Sequence, residues 1–300
     1  MAGLPVPAAW GVAFAVTAAC VATVQSQGRF TAQAQLVPVM VTVQRDDGSY
    51  VADLEASDFK VLDNGTPRDI QLFDAGTAPI DLVLLVDTSS SVNARLATIQ
   101  KAATAVVGAL RGEDRATLIA FGHGTRIVQP FTTDRRRVAS ALRRLGAGGS
   151  TSLYDALYVA LHEFERQAAG HTTIRRRAVV VFTDGEDTAS LIGFDSVIDA
   201  ARRLAVTTYT IRFVSPFERV DRFARSAVEL RELARETGAR AFTSSGSEQA
   251  AVAYEAVASD LTHQYVLAFE PAGPPGLHRI AVVVGVPHSR VLSRSGYLAE

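Results

Sequence analysis

Two short segments of this sequence combine acidic and hydroxyl side chains in an order that suits metal binding. Residues 87–91 read Asp-Thr-Ser-Ser-Ser, and residues 183–187 read Thr-Asp-Gly-Glu-Asp. Between them, a glycine-rich loop at residues 146–149 leads to Thr151. Carboxylate and hydroxyl oxygens are the ligands that hard cations such as Mg²⁺ accept, usually alongside several waters. We therefore expect the three segments to form one divalent-cation site.

Both acidic segments follow apolar runs. Residues 80–86 are apolar apart from Asp81, and residues 178–182 are Ala-Val-Val-Val-Phe. Such runs are typical of strands buried on both faces of a parallel sheet. Ligands of doubly wound sheets bind beyond the carboxyl ends of the strands. The carboxylates and hydroxyls are thus predicted to meet at one edge of a sheet.

Strands and helices alternate through the middle of the chain. Helices are predicted at residues 92–111, 134–145, 153–168, 195–204, 228–237 and 248–262, with further strands at 116–121 and 207–213. This alternation implies βαβ crossovers and an α/β fold with a doubly wound, mostly parallel, Rossmann-like sheet. The α/β domain is expected to cover residues 80–263.

Two β-rich arms flank this domain, at residues 34–76 and 265–298. Strands are predicted at residues 37–43, 59–62, 70–73, 265–269, 280–286 and 291–297, with turn signals at 46–48 and 63–65. We expect the arms to pair as one small, sandwich-like β domain into which the α/β domain is inserted.

The amino terminus has the character of a leader. Residues 1–28 carry no charged side chain, and residues 4–24 are mostly apolar, as in a signal peptide or a membrane anchor. Both interpretations predict export: the protein would be periplasmic, at the cell surface or secreted, or membrane-anchored through residues 4–24. Cys20, the only cysteine, lies in this segment. The rest of the chain therefore has no disulfide, thiolate metal site or cysteine nucleophile.

Composition and motifs argue against other function classes. The 30 basic and 31 acidic residues nearly cancel, so nucleic acid is not an expected partner. The sequence has no phosphate-binding P-loop, no Gly-x-Ser-x-Gly elbow and no zinc-binding His-Glu-x-x-His helix. We expect no enzymatic activity. A hydrolase that uses the bound ion as a Lewis acid is the weakest alternative, because no nucleophile and base are evident.

The acidic and hydroxyl segments resemble the metal-ion-dependent adhesion site of von Willebrand factor type A domains, over residues 80–263. The resemblance rests on Asp-x-Ser-x-Ser after a buried strand, a Thr after a glycine-rich loop, and Thr-Asp-Gly-x-Asp after a later strand. It implies metal binding by Asp87, Ser89, Ser91, Thr151 and Asp184, with the hydroxyls bound directly and the carboxylates partly through water. Residues 58–65 and 294–297 also resemble a bacterial subgroup of exported proteins related to this family.

The resemblance implies a non-enzymatic, metal-dependent adhesion or protein-binding module. Two carboxylates roughly neutralise a divalent ion, and neutral hydroxyls leave it able to accept one more anionic oxygen. An Asp or Glu of a partner protein can supply that oxygen. Mg²⁺ is the expected ion, with Mn²⁺ and Ca²⁺ as alternatives. An envelope assembly or scaffolding component with a mainly structural ion is the alternative function.

Each segment also has a purely structural interpretation. Residues 87–91 could cap the following helix, and Thr151 could cap the next one, because Ser, Thr and Asp satisfy free helix N–H groups. We expect Asp187 to fix a turn rather than to contact metal. Asp155 is expected to be a first-turn helix residue favoured by the helix dipole, and His123 an ordinary loop residue.

Overall fold

A computed structural model describes Met1, Gly3 and residues 36–168, 175–185, 187–214 and 224–299. The predicted leader lies outside these residues apart from Met1 and Gly3. Gln35–Glu300 forms one compact unit. Among the described residues, no helix has the length and apolar character needed to span a bilayer.

The elements of this unit alternate as the hydrophobic pattern predicts. The strands are β1 (Val37–Arg45), β2 (Phe59–Asp63), β3 (Thr66–Arg68), β4 (Ile70–Asp74), β5 (Ile80–Asp87), β6 (Arg115–Phe121), β7 (Thr125–Thr132), β8 (Arg176–Thr183), β9 (Thr207–Phe213), β10 (Ala241–Ser244), β11 (Tyr265–Phe269), β12 (Gly276–Val284), β13 (Ser289–Ser293) and β14 (Gly296–Ala299). The helices are α1 (Leu96–Gly108), α2 (Arg135–Arg143), α3 (Leu153–Ala168), α4 (Phe194–Leu204), α5 (Ala224–Glu236) and α6 (Ser247–Thr262).

The central sheet has six strands in the order β10-β9-β8-β5-β6-β7. All neighbouring strands are parallel except β6 and β7, which are antiparallel. Helices α1, α2 and α6 cover one face, and α3, α4 and most of α5 cover the other. The predicted α/β fold with a doubly wound, mostly parallel sheet is confirmed.

Strand β5 forms the middle of this sheet, and all eight of its residues are buried. Leu82, Leu84 and Val86 pack against the helices on one face, whereas Val83 and Leu85 pack against those on the other. This two-sided burial explains the continuous apolar run, since neither face of the strand meets water. The chain places β6 on one side of β5 and β8 on the other. The strand order therefore reverses between β5 and β8, where doubly wound sheets form their ligand crevice.

The two arms form two further sheets, in the orders β13-β1-β11-β4 and β14-β12-β2-β3. Each sheet contains strands from both arms. Val37 in β1 pairs with Phe269 in β11, and Val61 in β2 pairs with Val282 in β12. Side chains of both sheets meet in a common core that includes Val39, Val61 and Leu267. The arms are thus one β unit, and the α/β region is an insertion between its strands.

Several predicted boundaries were wrong. The helix predicted at residues 92–111 is a 3₁₀ segment, Ser90–Arg95, followed by α1. Strands β7 and β10 were not predicted. The single strand predicted at residues 291–297 is two strands in different sheets, β13 and β14. The backbone turns between them because Ser295 N donates to the carbonyl of Glu236 (3.0 Å), at the end of α5.

Candidate metal site

Asp87 is the last residue of β5, at the point where the strand order reverses, and its side chain is fully buried. Its Oδ1 accepts a hydrogen bond from the backbone N–H of Ser89 (2.8 Å). Burial raises the pKa of Asp87 to about 6, and the negative charge of Asp184 acts in the same direction, against the hydrogen bonds from Ser89 and Thr183. Asp87 is therefore a desolvated carboxylate with a second acidic group close by.

The hydroxyls of Ser89 and Ser91 lie 2.9 Å apart beside Asp87. Ser89 is buried and Ser91 is exposed, so the pair leads from the buried carboxylate to solvent. Ser89 directly precedes the 3₁₀ segment Ser90–Arg95, but its side chain makes no capping hydrogen bond there. The helix-capping interpretation of Ser89 is thus wrong.

The glycine-rich loop packs directly against the segment that follows β5. Gly148 N donates to the carbonyl of Thr88 (2.7 Å), and Gly149 N donates to Ser90 Oγ (3.1 Å). Gly149 has φ +93°, and a Cβ at this position would lie 2.8 Å from Cβ of His123. Only glycine fits both the backbone conformation and the space. This approach brings Thr151 to the same edge of the sheet.

Thr151 is buried two residues before helix α3. The first N–H groups of that helix bind other side chains: Leu153 N donates to Asp187 Oδ1 (2.8 Å) and Tyr154 N to Ser190 Oγ (3.0 Å). Among the described residues, the hydroxyl of Thr151 has no hydrogen-bond partner. Thr151 therefore does not act as the helix cap, and its hydroxyl is available for another ligand.

Thr183, the last residue of β8, is a site residue that the sequence reasoning did not select. Its hydroxyl donates to Oδ2 of Asp87 (2.7 Å) and accepts from Gly185 N (2.9 Å). Strand register places it there. Val86 of β5 pairs with Phe182 of β8, so the residues that come next, Asp87 and Thr183, are neighbours as well. A hydroxyl residue directly before Asp184 was the available sequence signal. Asp184 itself is buried.

The sequence also predicted roles for Asp187, Asp155 and His123, which lie close to the site in the sequence. Asp187 accepts from Leu153 N and from Ser190 Oγ (2.6 Å), which confirms that it fixes the turn. Asp155 lies in the first turn of α3, as predicted, and its Oδ1 also accepts from the N–H groups of Leu191 (3.0 Å) and Ile192 (2.9 Å). It therefore also holds the loop after β8. His123 is exposed between β6 and β7.

The donor chemistry of this edge fits a hard divalent cation. Asp87 and Asp184 supply two buried carboxylates, and Ser89, Ser91 and Thr151 supply neutral hydroxyl oxygens. Across the part of the chain that the structure describes, His, Cys, Asp and Glu side chains do not gather in groups of three or more that could hold a metal. Among its described residues, the candidate site offers the two carboxylates of Asp87 and Asp184, and hydroxyls would supply the remaining protein ligands.

Comparisons with known proteins identify the α/β region. Residues 82–186 match the family model of the von Willebrand factor type A domain. An uncharacterised protein of Synechocystis is 31% identical over 139 residues, which cover 42% of this chain and 32% of that protein. This chain thus spans about a third of that curated relative.

Two solved structures share the fold. A von Willebrand factor type A protein from Catenulispora acidiphila aligns with a TM-score of 0.52 at 14% identity, over 90% of this chain and 75% of that one. An aerotolerance-related membrane protein from Bacteroides fragilis aligns with a TM-score of 0.50 at 17% identity, over 61% of this chain and 98% of that one. Taken with the sequence match, the likeness establishes that this chain contains a von Willebrand factor type A domain.

Proposed function

We propose that the chain is a metal-dependent protein-binding module. Its ion, Mg²⁺, would be held by Asp87, Ser89, Ser91, Thr151 and Asp184 and would bind the carboxylate of an Asp or Glu of a partner protein. Von Willebrand factor type A domains often mediate protein–protein interaction. The observation that carries the proposal is the desolvated carboxylate of Asp87 at the switch point of the sheet, with Asp184 close enough to raise its pKa.

Electrostatics support a cation at this position. A buried carboxylate is costly unless it is compensated, and a like charge nearby increases that cost. Hydrogen bonds from Ser89 and Thr183 compensate Asp87 only in part, because its pKa remains raised. A divalent ion between Asp87 and Asp184 would neutralise both groups.

The geometry also favours a ligand from outside. Ser91 is exposed and its hydroxyl contacts the buried Ser89, so the site is open to solvent on the side of Ser91. An acidic side chain of a partner can approach from this side without displacing the fold. We propose recognition rather than catalysis, since the described residues at this edge are cation ligands and do not include an evident pair of nucleophile and base.

We further propose that the protein works outside the cytoplasm. The support is the apolar leader at residues 4–24, together with the likeness of the fold to a protein described as a membrane protein in Bacteroides fragilis. Such a leader would deliver the module to the envelope or to the cell exterior, where a protein partner could be bound.

Calorimetric titration with MgCl₂ tests the ion site. Asp87→Asn and Asp184→Asn should each abolish Mg²⁺ binding. Asp69→Asn, at an exposed carboxylate outside the site, should leave it unchanged. Unaltered binding in the Asp87 variant would exclude the site.

Capture of partners from the native envelope fraction, with Mg²⁺ and with chelator, tests the recognition step. Partner capture should be lost in chelator and in the Asp87→Asn protein, while circular dichroism stays unchanged. Loss of the fold in chelator would instead indicate a structural ion.

A further inference from the structure

A cleft of about 690 Å³ lies at the amino ends of β5 and β8, opposite the carboxyl ends that carry the candidate metal site. Its walls come from the starts of β5 and β8, the ends of α3 and α4, and parts of β1, β4, β11 and β14. The volume falls within the range of about 300–1,000 Å³ that is usual for small-molecule sites. Because it is far along the strands from Asp87, this cleft is separate from the proposed ion site.

The charged lining of the cleft is strongly basic. Six arginines and two acidic residues line it: Arg175, Arg176, Arg177, Arg202, Arg203 and Arg294, with Asp81 and Glu165. Both acidic groups already have partners. Asp81 forms ion pairs with Arg175 (2.6 Å) and Arg115 (2.7 Å), and Glu165 contacts His162. The remaining arginines therefore give the cleft an excess of positive charge.

Several guanidinium groups of the cleft are incompletely compensated. Arg294 is only 5% exposed and, within the described residues, forms no ion pair. Its Nε donates to the carbonyl of Gly296 (2.9 Å), and burial lowers its pKa to about 10. Nε of Arg202 is buried without a hydrogen-bond partner in the described part of the chain, although Nη2 pairs with Glu236 (2.7 Å). Arg203 is exposed and lacks an ion pair among the same residues.

Helix capping accounts for part of this arrangement. Arg294 donates to the carbonyl of Arg202, and Arg177 donates to that of Leu204 (3.2 Å), both at the carboxyl end of α4. A helix carboxyl end carries roughly half a negative charge, which favours cations there. Arg202 is paired with Glu236, but that partial charge cannot balance Arg177, Arg203 and Arg294 together.

The other wall of the cleft is apolar. Leu36, Pro38, Leu72 and Leu298 line it and are half-buried. A basic end beside an apolar wall is complementary to an amphiphile with an anionic head. Guanidinium groups bind phosphate oxygens through paired, charge-assisted hydrogen bonds, and a phosphate monoester brings more negative charge than a carboxylate.

We propose that this cleft binds a single-chain lipid with a phosphate monoester head. The phosphate lies between Arg177, Arg203 and Arg294, and the alkyl chain lies along Leu36, Pro38 and Leu72. Binding at this site needs no divalent ion.

Calorimetric titration of the full chain with dodecyl phosphate, in EDTA and below the micellar concentration, tests this proposal. Arg203→Glu should weaken binding at least tenfold, because Arg203 is exposed and its side chain is not part of the packed core. The matched control is Arg136→Glu, which makes the same charge change at an exposed arginine of α2, outside the cleft. It should bind as the wild type does, and any contribution of the leader is common to all three proteins.

Two other probes separate head from chain. Inorganic phosphate and dodecyl maltoside should each bind at least tenfold more weakly than dodecyl phosphate. Dodecanoate should bind more weakly than dodecyl phosphate and more tightly than the other two probes. Arg177→Gln provides a second variant if Arg203→Glu is found unfolded by circular dichroism. Equal binding by the cleft variants and Arg136→Glu, or equal binding of dodecyl maltoside and dodecyl phosphate, would overturn the proposal. Because Asp87→Asn should bind dodecyl phosphate normally, failure of the ion site leaves this result intact.

Discussion

The hydroxyl of Thr183 donates a 2.7 Å hydrogen bond to Oδ2 of Asp87 and thereby joins the carboxyl ends of β8 and β5. The two residues are 96 positions apart in the sequence and adjacent in the sheet. Both are fully buried, so water does not replace this contact if it is lost. Thr183 thus positions the carboxylate that we propose as an ion ligand.

Replacement of Thr183 should show how much this contact contributes. Thr183→Val removes the donor and leaves a buried carboxylate oxygen unsatisfied, which typically costs about 1–3 kcal/mol. The free energy of unfolding in urea, measured in EDTA, should fall by about that amount. Thr183→Ser keeps the hydroxyl and should retain most of the stability. A valine variant as stable as the wild type would show that the bond contributes nothing to the fold.

Asp87 is expected to reduce the stability of the metal-free protein. Its carboxylate is desolvated and lies near Asp184, so its negative charge costs more free energy in the fold than in the unfolded chain. Asp87→Asn removes the charge at nearly constant volume. In EDTA at pH 7.5, this variant should unfold at the same or a higher urea concentration than the wild type. Asp69→Asn, the control, should unfold at the same urea concentration as the wild type. A clearly lower urea midpoint for Asp87→Asn would contradict this view.

Thr151 should matter more for the ion than for the fold. Its hydroxyl has no hydrogen-bond partner among the described residues, and Asp187 and Ser190 cap helix α3. Thr151→Ala should therefore reduce Mg²⁺ affinity at least tenfold in calorimetry. The unfolding free energy should change by less than about 1 kcal/mol, because the mutation removes no hydrogen bond of the fold. Thr151→Ser restores the hydroxyl and should restore binding. Equal losses of binding and stability would favour a structural role.

His278 should make the small β unit sensitive to pH. Its two ring nitrogens face acceptors, the carbonyl of Pro274 (2.8 Å) and Oδ1 of Asp63 (2.8 Å), and the protonated ring can donate to both. These bonds raise the pKa of His278 above its ordinary value of 6.5. A raised pKa in the fold means that protonation stabilises the folded state. The stabilisation is present below pH 6.5 and is lost as the pH rises through the folded pKa.

The urea midpoint at pH 6 and at pH 8.5 measures this effect. The wild type should lose stability across this interval, and His278→Gln should lose less. His288→Gln, at an exposed histidine, should behave as the wild type does. The same pH dependence in both variants would show that another group is responsible.

The elements of the central sheet with strong local signals were predictable. The continuous apolar run of β5 and the amphipathic pattern of α3 follow from burial on two faces and on one face, respectively. Strands β7 and β10 were missed because they are the two edges of the sheet. β7 is only half-buried and contains Pro130, and β10 has four residues, too few to show a period.

The sequence by itself determined which residues can act as oxygen ligands and that they follow buried strands, because residue type and hydrophobic period are local properties. Only the tertiary structure placed Thr183 on Asp87, since that contact depends on β8 lying beside β5. It also showed that Asp187 and Ser190 cap α3, a role that sequence spacing assigns equally well to Thr151. Arg294 and Arg203 meet at one cleft for the same reason: they are distant along the chain, and only the packing of β14 and its neighbours against α4 brings their charges together.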